Sequence, residues 1–331
     1  MKSTQIKLGL LTIALAPFLM ACPKARHPAA PVADSEVQSS VDVSFANFVA
    51  TDIDMICAFV AEADLDPDFY NLAPGENPVG IDVDRNLVTD QVTVGYNSGK
   101  CRDGVLRDGT IFMYNPHTNP NAKYYRDYEF RGNVILDHYY VNGWAVSIPA
   151  GKTFQIYNNL TKPSYDPSKT TLSWRIEGSL LLEHPTDASK NILWEGKLIK
   201  TLKNSTDNSV FHTSTQQPIN WSKGVVEYRG SVTGLTSTDV PYTLEINSEK
   251  PLVRDFSCFA DVIGGVESVQ PFRTWNKEFH PVKSGVATFK TGDKYPRQIY
   301  YGNEGNPGLP AQCDNSGEVL IKGNSYSVNF Q

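Results

Sequence analysis

The sequence predicts an all-β body, an extended antiparallel meander of hairpins carrying one short N-terminal amphipathic helix. Three observations point there. Turn residues (24 Gly and 21 Pro, helped by Asn and Asp) punctuate the chain about every 8–15 residues. Between them, apolar and polar residues alternate with period two, the pattern of strands with one dry and one wet face. After the N-terminal helix no long helical pattern intervenes, so the crossovers of a parallel α/β fold are missing.

The elements follow in chain order. Met1 to Lys7 carries Lys2 and Lys7 and no acid, and Leu8 to Met20 is a mostly apolar run. That run has 13 residues and contains Pro17, whereas a membrane-spanning helix needs about 20. A short basic segment followed by a short apolar one reads as a signal peptide over residues 1–21. It ends in Leu19-Met20-Ala21-Cys22, which resembles the bacterial lipobox. The resemblance implies cleavage between Ala21 and Cys22 and a diacylated Cys22 as the new N-terminus. Two acyl chains hold a protein on a bilayer where one is marginal. No later apolar stretch approaches 18 residues, so the rest of the chain is expected outside the bilayer.

Residues 22–42 hold Pro, Ala, Ser and charges without periodicity and read as a flexible tether. A single β-rich domain over 43–331 follows. Its helix is expected near 44–63, where Phe45, Phe48, Val49, Ile53, Ile56, Cys57 and Val60 recur at three- and four-residue steps. Ser44 is placed as its N-cap, and Asp66-Pro67 ends it. We expect this helix to cover part of a sheet. Strands are then expected at 92–96, 110–114, 132–140, 152–157, 170–183, 191–203, 224–234, 241–247, 258–269, 285–291, 296–301 and 316–330. Asn97-Ser98-Gly99 reads as a turn. Asn142-Gly143 between apolar runs is a strong hairpin signal, because both residues tolerate positive φ. Lys322-Gly323-Asn324-Ser325 reads as another turn.

Charge and cysteine content bound the function. Loss of Lys2 and Lys7 takes the formal charge from −6 to −8. A mildly acidic body without a basic block argues against nucleic acid as a partner. Four cysteines remain besides Cys22, namely Cys57, Cys101, Cys258 and Cys313. An even number in an exported protein suggests disulfides. Three pairings are open, and only Cys57–Cys101 with Cys258–Cys313 is neither nested nor interleaved. Neither C-x₂-C nor H-x₃₋₅-H spacing occurs, so no metal site is expected, and no cofactor is expected either.

Three stretches resemble a known family, the uncharacterised lipoproteins of the Bacteroidetes. The first runs from Tyr96-Asn97-Ser98-Gly99-Lys100-Cys101 through Asp103-Gly104 and Arg107-Asp108-Gly109 to Ile111. The second is Val134 to Gly143, ending Tyr140-Val141-Asn142-Gly143. The third joins Thr243 through Pro251-Leu252-Val253-Arg254 to Ser257-Cys258. It then continues with Ile299-Tyr300-Tyr301-Gly302, Cys313-Asp314-Asn315 and Val319 to Tyr326. The resemblance covers residues 90–331, rests on turn motifs, and departs from the family in a longer loop from Asn303 to Gln312. It implies an extended antiparallel sheet and a lipid anchor. It implies no activity.

Candidate sites are few. Gly95-Tyr96-Asn97-Ser98-Gly99-Lys100 is one residue short of a phosphate loop, has Cys101 in place of the hydroxyl, and is followed by no helix, so it reads as a hairpin. Asp82-Val83-Asp84-Arg85-Asn86 begins like a calcium loop, but Leu87 and Thr93 stand where Gly and Glu are needed. It reads as a solvated loop. His27, His117, His138, His184, His212 and His280 lie in no known catalytic arrangement, and G-x-S-x-G is absent. No catalytic residue is assigned. The dense aromatics, Tyr139-Tyr140, Trp144, Trp174, Trp194 and Tyr300-Tyr301 among them, read as cross-strand packing.

The expectation is a membrane-anchored cell-envelope lipoprotein that binds or scaffolds an envelope protein or glycan without catalysis. A carbohydrate- or lipid-binding module and an envelope glycan hydrolase stay open as alternatives. Pro23-Lys24-Ala25-Arg26 lacks the acidic run that resembles a surface-export signal in Bacteroidetes. The outer membrane, facing the periplasm, is therefore the expected location, with surface display left open.

Overall fold

The computed structural model describes residues 35–61, 82–86, 91–101, 105–115, 122, 125–158, 171–203, 224–256, 282–302 and 316–330. Among these residues there is one helix, α1 (Ser35–Ala61), and the strands β1 (Asp82–Asn86), β2 (Gln91–Lys100), β3 (Leu106–Tyr114), β4 (Phe130–Val141), β5 (Trp144–Ser147), β6 (Phe154–Asn158), β7 (Thr171–Glu183), β8 (Ile192–Lys203), β9 (Val225–Leu235), β10 (Pro241–Ile246), β11 (Leu252–Asp255), β12 (Val282–Thr291), β13 (Arg297–Tyr301), β14 (Ser316–Ile321) and β15 (Asn324–Asn329). The all-β class with one N-terminal helix is what the structure has.

The strands form one antiparallel sheet in the order β1-β2-β3-β4-β5-β7-β8-β9-β10-β12-β13-β14-β15. It is nearly sequential, and short turns make neighbours of β4 and β5, β9 and β10, β12 and β13, and β14 and β15. Two pairs of short strands share a row. β6 lies beside β5 between β4 and β7, and β11 lies beside β10 between β9 and β12. The expected Asn142-Gly143 turn joins β4 to β5, with φ of 50° and 83°. The Lys322-Gly323 turn joins β14 to β15. Asn97-Ser98-Gly99 is not a turn. It is a bulge within β2, where the register to β3 shifts between Tyr96 and Gly99 and Ser98 takes a φ of 44°. Asp82–Asn86 is likewise a strand paired with β2, not the solvated loop its polar composition suggested. The expected strand at 258–269 lies outside the described residues.

The helix differs most from expectation. It begins at Ser35 and runs 27 residues, so residues 35–42 belong to it rather than to a tether. Ser44 is not its cap but lies inside it, buried, where its Oγ accepts a hydrogen bond of 2.9 Å from the Tyr301 hydroxyl. Local sequence hides the start because the first turns are polar. They are held by tertiary contacts: Gln38 donates to Asp42 Oδ1 at 2.7 Å, and the Ser237 hydroxyl donates to Asp42 Oδ2. The window Val37–Ala61 is also long and apolar enough to cross a membrane by length and composition. This corrects the expectation that no second stretch qualifies. In the structure every residue of that helix from Asp42 to Ala61 is buried, and a helix apolar all round is one enclosed on all sides.

The enclosure follows from the helix's own geometry. Successive residues turn by about 100°, so residues seven apart share a face and residues two apart point to nearly opposite sides. Phe45 and Asp52 meet Trp144 of β5 and Arg107 of β3. Asn47 and Asp54 meet Trp194 and Lys200, both on β8. Ser44, Phe48 and Thr51 meet Tyr301 of β13 and Arg254 of β11. Three helix faces thus touch three separate parts of one sheet, which therefore curls around α1. The inward strand positions alternate as expected: Trp174 and Ile176 on β7, and Trp194, Leu198 and Leu202 on β8, are fully buried. Trp174 packs its ring 4.9 Å from that of the buried Tyr125, which lies in the turn before β4 and not on a neighbouring strand.

Candidate functional site

The chemistry among the described residues concentrates along the helix axis, where the sequence places Thr51-Asp52-Ile53-Asp54 inside an apolar run. Both carboxylates are fully buried. A buried charge is costly unless paired, and each finds its partner on the opposite wall of the sheet. Arg107 holds Asp52 through Nε at 3.0 Å from Oδ2 and Nη2 at 2.8 Å from Oδ1. This two-pronged contact suits the planar guanidinium. Arg254 Nη2 stands 3.8 Å from the same carboxylate, and its Nη1 donates to Thr51 Oγ1 at 3.2 Å.

Asp54 faces the other way. Lys200 Nζ lies 2.7 Å from Oδ2, the Tyr228 hydroxyl donates to Oδ2 at 3.1 Å, and the Tyr125 hydroxyl donates to Oδ1 at 2.5 Å. The ammonium also sits over two rings, 4.3 Å from the centroid of Tyr125 and 5.1 Å from that of Trp174. Burial pulls Lys200 down to about 8, against the raising effect of Asp54. Burial, then the Asp54 charge, push Tyr125 well above its usual range.

The interior holds little free space at this point. The void lined by Asn47, Thr51, Tyr228, Arg254 and Tyr301 has a volume of about 10 Å³, room for one water at most. A larger concavity among the described residues is on the outside. Tyr114, Asn133, Ile135, Lys152 and Gln155 line an open groove of about 370 Å³. The excursion between β5 and β6 forms one wall, and Tyr114 and Ile135 are among the exposed large apolar side chains.

The residues singled out by sequence fall elsewhere. Ala21, Cys22, Cys258 and Cys313 lie outside the described residues, as do His27, His117, His212 and His280. Cys57 is a buried free thiol on α1, so the structure holds no Cys57–Cys101 bond. Burial raises that thiol further, as does the Asp54 charge, which leaves it unreactive. Cys101 is buried at the end of β2. His138 stands at a bulge in β4, its exposed ring 2.7 Å from Asp137. His184 packs its ring against Trp144. Neither histidine approaches a buried acid. No group of three or more His, Cys, Asp or Glu is placed to hold a metal ion among the described residues.

Sequence reasoning missed the ion pairs, yet a signal was present. Arg107, Lys200 and Arg254 each occupy the inward phase of an alternating strand, and the two aspartates interrupt the only long apolar helix described. In-phase cations and in-helix acids have to meet. No family model, no curated protein and no solved structure matches the chain.

Proposed function

We propose that this chain is a lipid-anchored cell-envelope protein that works through its outer surface, binding or scaffolding another envelope component without catalysis. The observation that carries this reading is that, among the described residues, the interior is filled. A helix occupies the space where a curled sheet would otherwise hold a cargo or a cleft. The acids in that space are sealed against Arg107, Arg254 and Lys200 rather than facing a substrate. A glycan hydrolase needs two carboxyls across an open cleft, and Asp52 and Asp54 point away from each other. A lipid carrier needs an apolar cavity, and the interior void beside Arg254 is about 10 Å³.

The anchor rests on the leader and on Cys22 at its end. With a tethered body and an interior filled among the described residues, the outer sheet face and strand edges offer the surfaces for recognition. The test is recovery of a partner. The full chain, solubilised from envelopes in mild detergent, is expected to retain one envelope component through affinity purification, and an Ile135→Asp, Tyr114→Ser variant is expected to lose it. A variant that keeps its partner moves the surface elsewhere. Turnover of an envelope glycan by the purified chain contradicts the reading.

A further inference from the structure

The contact between Lys200 and Asp54 has the parts of a self-forming covalent link. The primary amine and the carboxyl are both fully buried, and Nζ lies 2.7 Å from Oδ2. The pair is boxed by the rings of Tyr125 and Trp174. A hydroxyl donor stands on each carboxyl oxygen, Tyr125 at 2.5 Å from Oδ1 and Tyr228 at 3.1 Å from Oδ2. We propose that Lys200 and Asp54 condense into an intramolecular amide that fastens α1 covalently to β8.

The step balances without a co-reactant. A proton passes from Nζ to Oδ2 along their hydrogen bond, leaving a neutral amine beside a neutral carboxyl. The Nζ lone pair attacks Cγ, and the negative charge that develops on Oδ1 is met by the Tyr125 hydroxyl, placed as an oxyanion donor is. A second Nζ proton moves to Oδ2, the Cγ–Oδ2 bond breaks and water leaves. One C–N bond has formed, one C–O bond has broken, and nothing is oxidised or reduced.

Three features of the site favour the forward direction. Burial holds Lys200 at about 8, so an appreciable part of it carries a free lone pair near neutral pH. The reacting groups are held together by the fold, and well-oriented intramolecular reactions reach effective concentrations on the order of 10⁵–10⁸ M. The site around the pair is fully buried, so the expelled water has little room to return. An ordinary buried salt bridge uses the same residues, and the two are separated by mass.

The full chain, purified from membranes, reduced and unfolded, is digested with trypsin. No Lys or Arg lies between residues 27 and 84, so Asp54 falls in the peptide His27–Arg85. If Lys200 is acylated, trypsin cannot cut beside it. A branched species is then expected, joining His27–Arg85 to Leu198–Lys203 and lighter by one water than their sum. Lys200→Arg keeps the charge but is expected to abolish the species. Tyr125→Phe, which keeps the ring, is expected to slow its appearance after refolding by about 10²-fold. Recovery of the unbranched peptides Leu198–Lys200 and Thr201–Lys203 from folded wild-type chain overturns the proposal. Loss of one water elsewhere, without the branch, overturns it equally.

Discussion

Replacing Asp52 with Asn removes one charge from the centre of the fold and leaves its shape nearly unchanged. The expected cost can be worked from the geometry. Asp52 and Arg107 are both fully buried and meet through contacts of 3.0, 2.8 and 2.9 Å, with the Arg254 guanidinium 3.8 Å away. The variant therefore leaves two arginines in the interior facing a neutral amide. Breaking a buried pair from one side costs about 3–5 kcal/mol. For a domain of this size each kcal/mol lowers Tm by about 2 °C or more, so a fall of about 6–10 °C is expected. Urea unfolding followed by tryptophan fluorescence, which reports on the buried Trp174 and Trp194, measures the loss. An unchanged slope with urea confines the effect to stability. Adding Arg107→Met should recover part of the loss, with a coupling energy of about 0.5–3 kcal/mol. If Asp52→Asn costs less than about 1 kcal/mol, the carboxylate is solvated, and α1 is not enclosed by the sheet at that level.

Three further outcomes are expected. Gly109→Ala should cost about 3 kcal/mol or more by thermal unfolding, because Gly109 has a φ of 83° and an added Cβ would stand 1.9 Å from the His138 carbonyl oxygen. Alkaline unfolding should be steep. Burial raises Tyr301 from 10.0 to about 12 and also raises Tyr96 and Tyr242, so the folded chain holds these protons longer than the unfolded one. The stability they confer is complete below pH 10 and is lost as pH climbs, by about 3 kcal/mol for Tyr301 between pH 10 and 12. Urea midpoints across that window check it. Cys22→Ser should abolish incorporation of labelled fatty acid and release the chain from membranes, and unchanged partitioning would refute the anchor.

Most of the sheet was legible in the sequence because a half-wet strand writes its burial as alternation. Trp174, Ile176, Trp194, Leu198 and Leu202 can be placed inward by phase alone. The Asn142-Gly143 and Lys322-Gly323 turns declare themselves by residue type. What stayed hidden depends on contacts distant in sequence. Asp82–Asn86 has a polar composition and becomes a strand through its pairing with β2. The first turns of α1 gain their order from Ser237 and from burial of Ser39 and Ser40. A periodic stripe on Phe45, Phe48 and Ile56 suggested one dry face, but the alanines and serines between the large residues are buried too. Small side chains allow close approach of the sheet on every side, and their spacing carries no period. The ion pairs were half legible, since each partner is conspicuous in its own element while only the fold shows which meets which.

The central claim is that α1 forms the core of this body, enclosed by the sheet rather than lying on it or in a membrane. Native-state hydrogen exchange on the detergent-free domain tests it most directly. The amides of Val49 to Ala58, all in buried residues, should exchange only through global unfolding, with the same free energy and urea dependence as those of β7 and β8. Exchange of the helix within minutes, while β7 and β8 stay protected, would contradict the account.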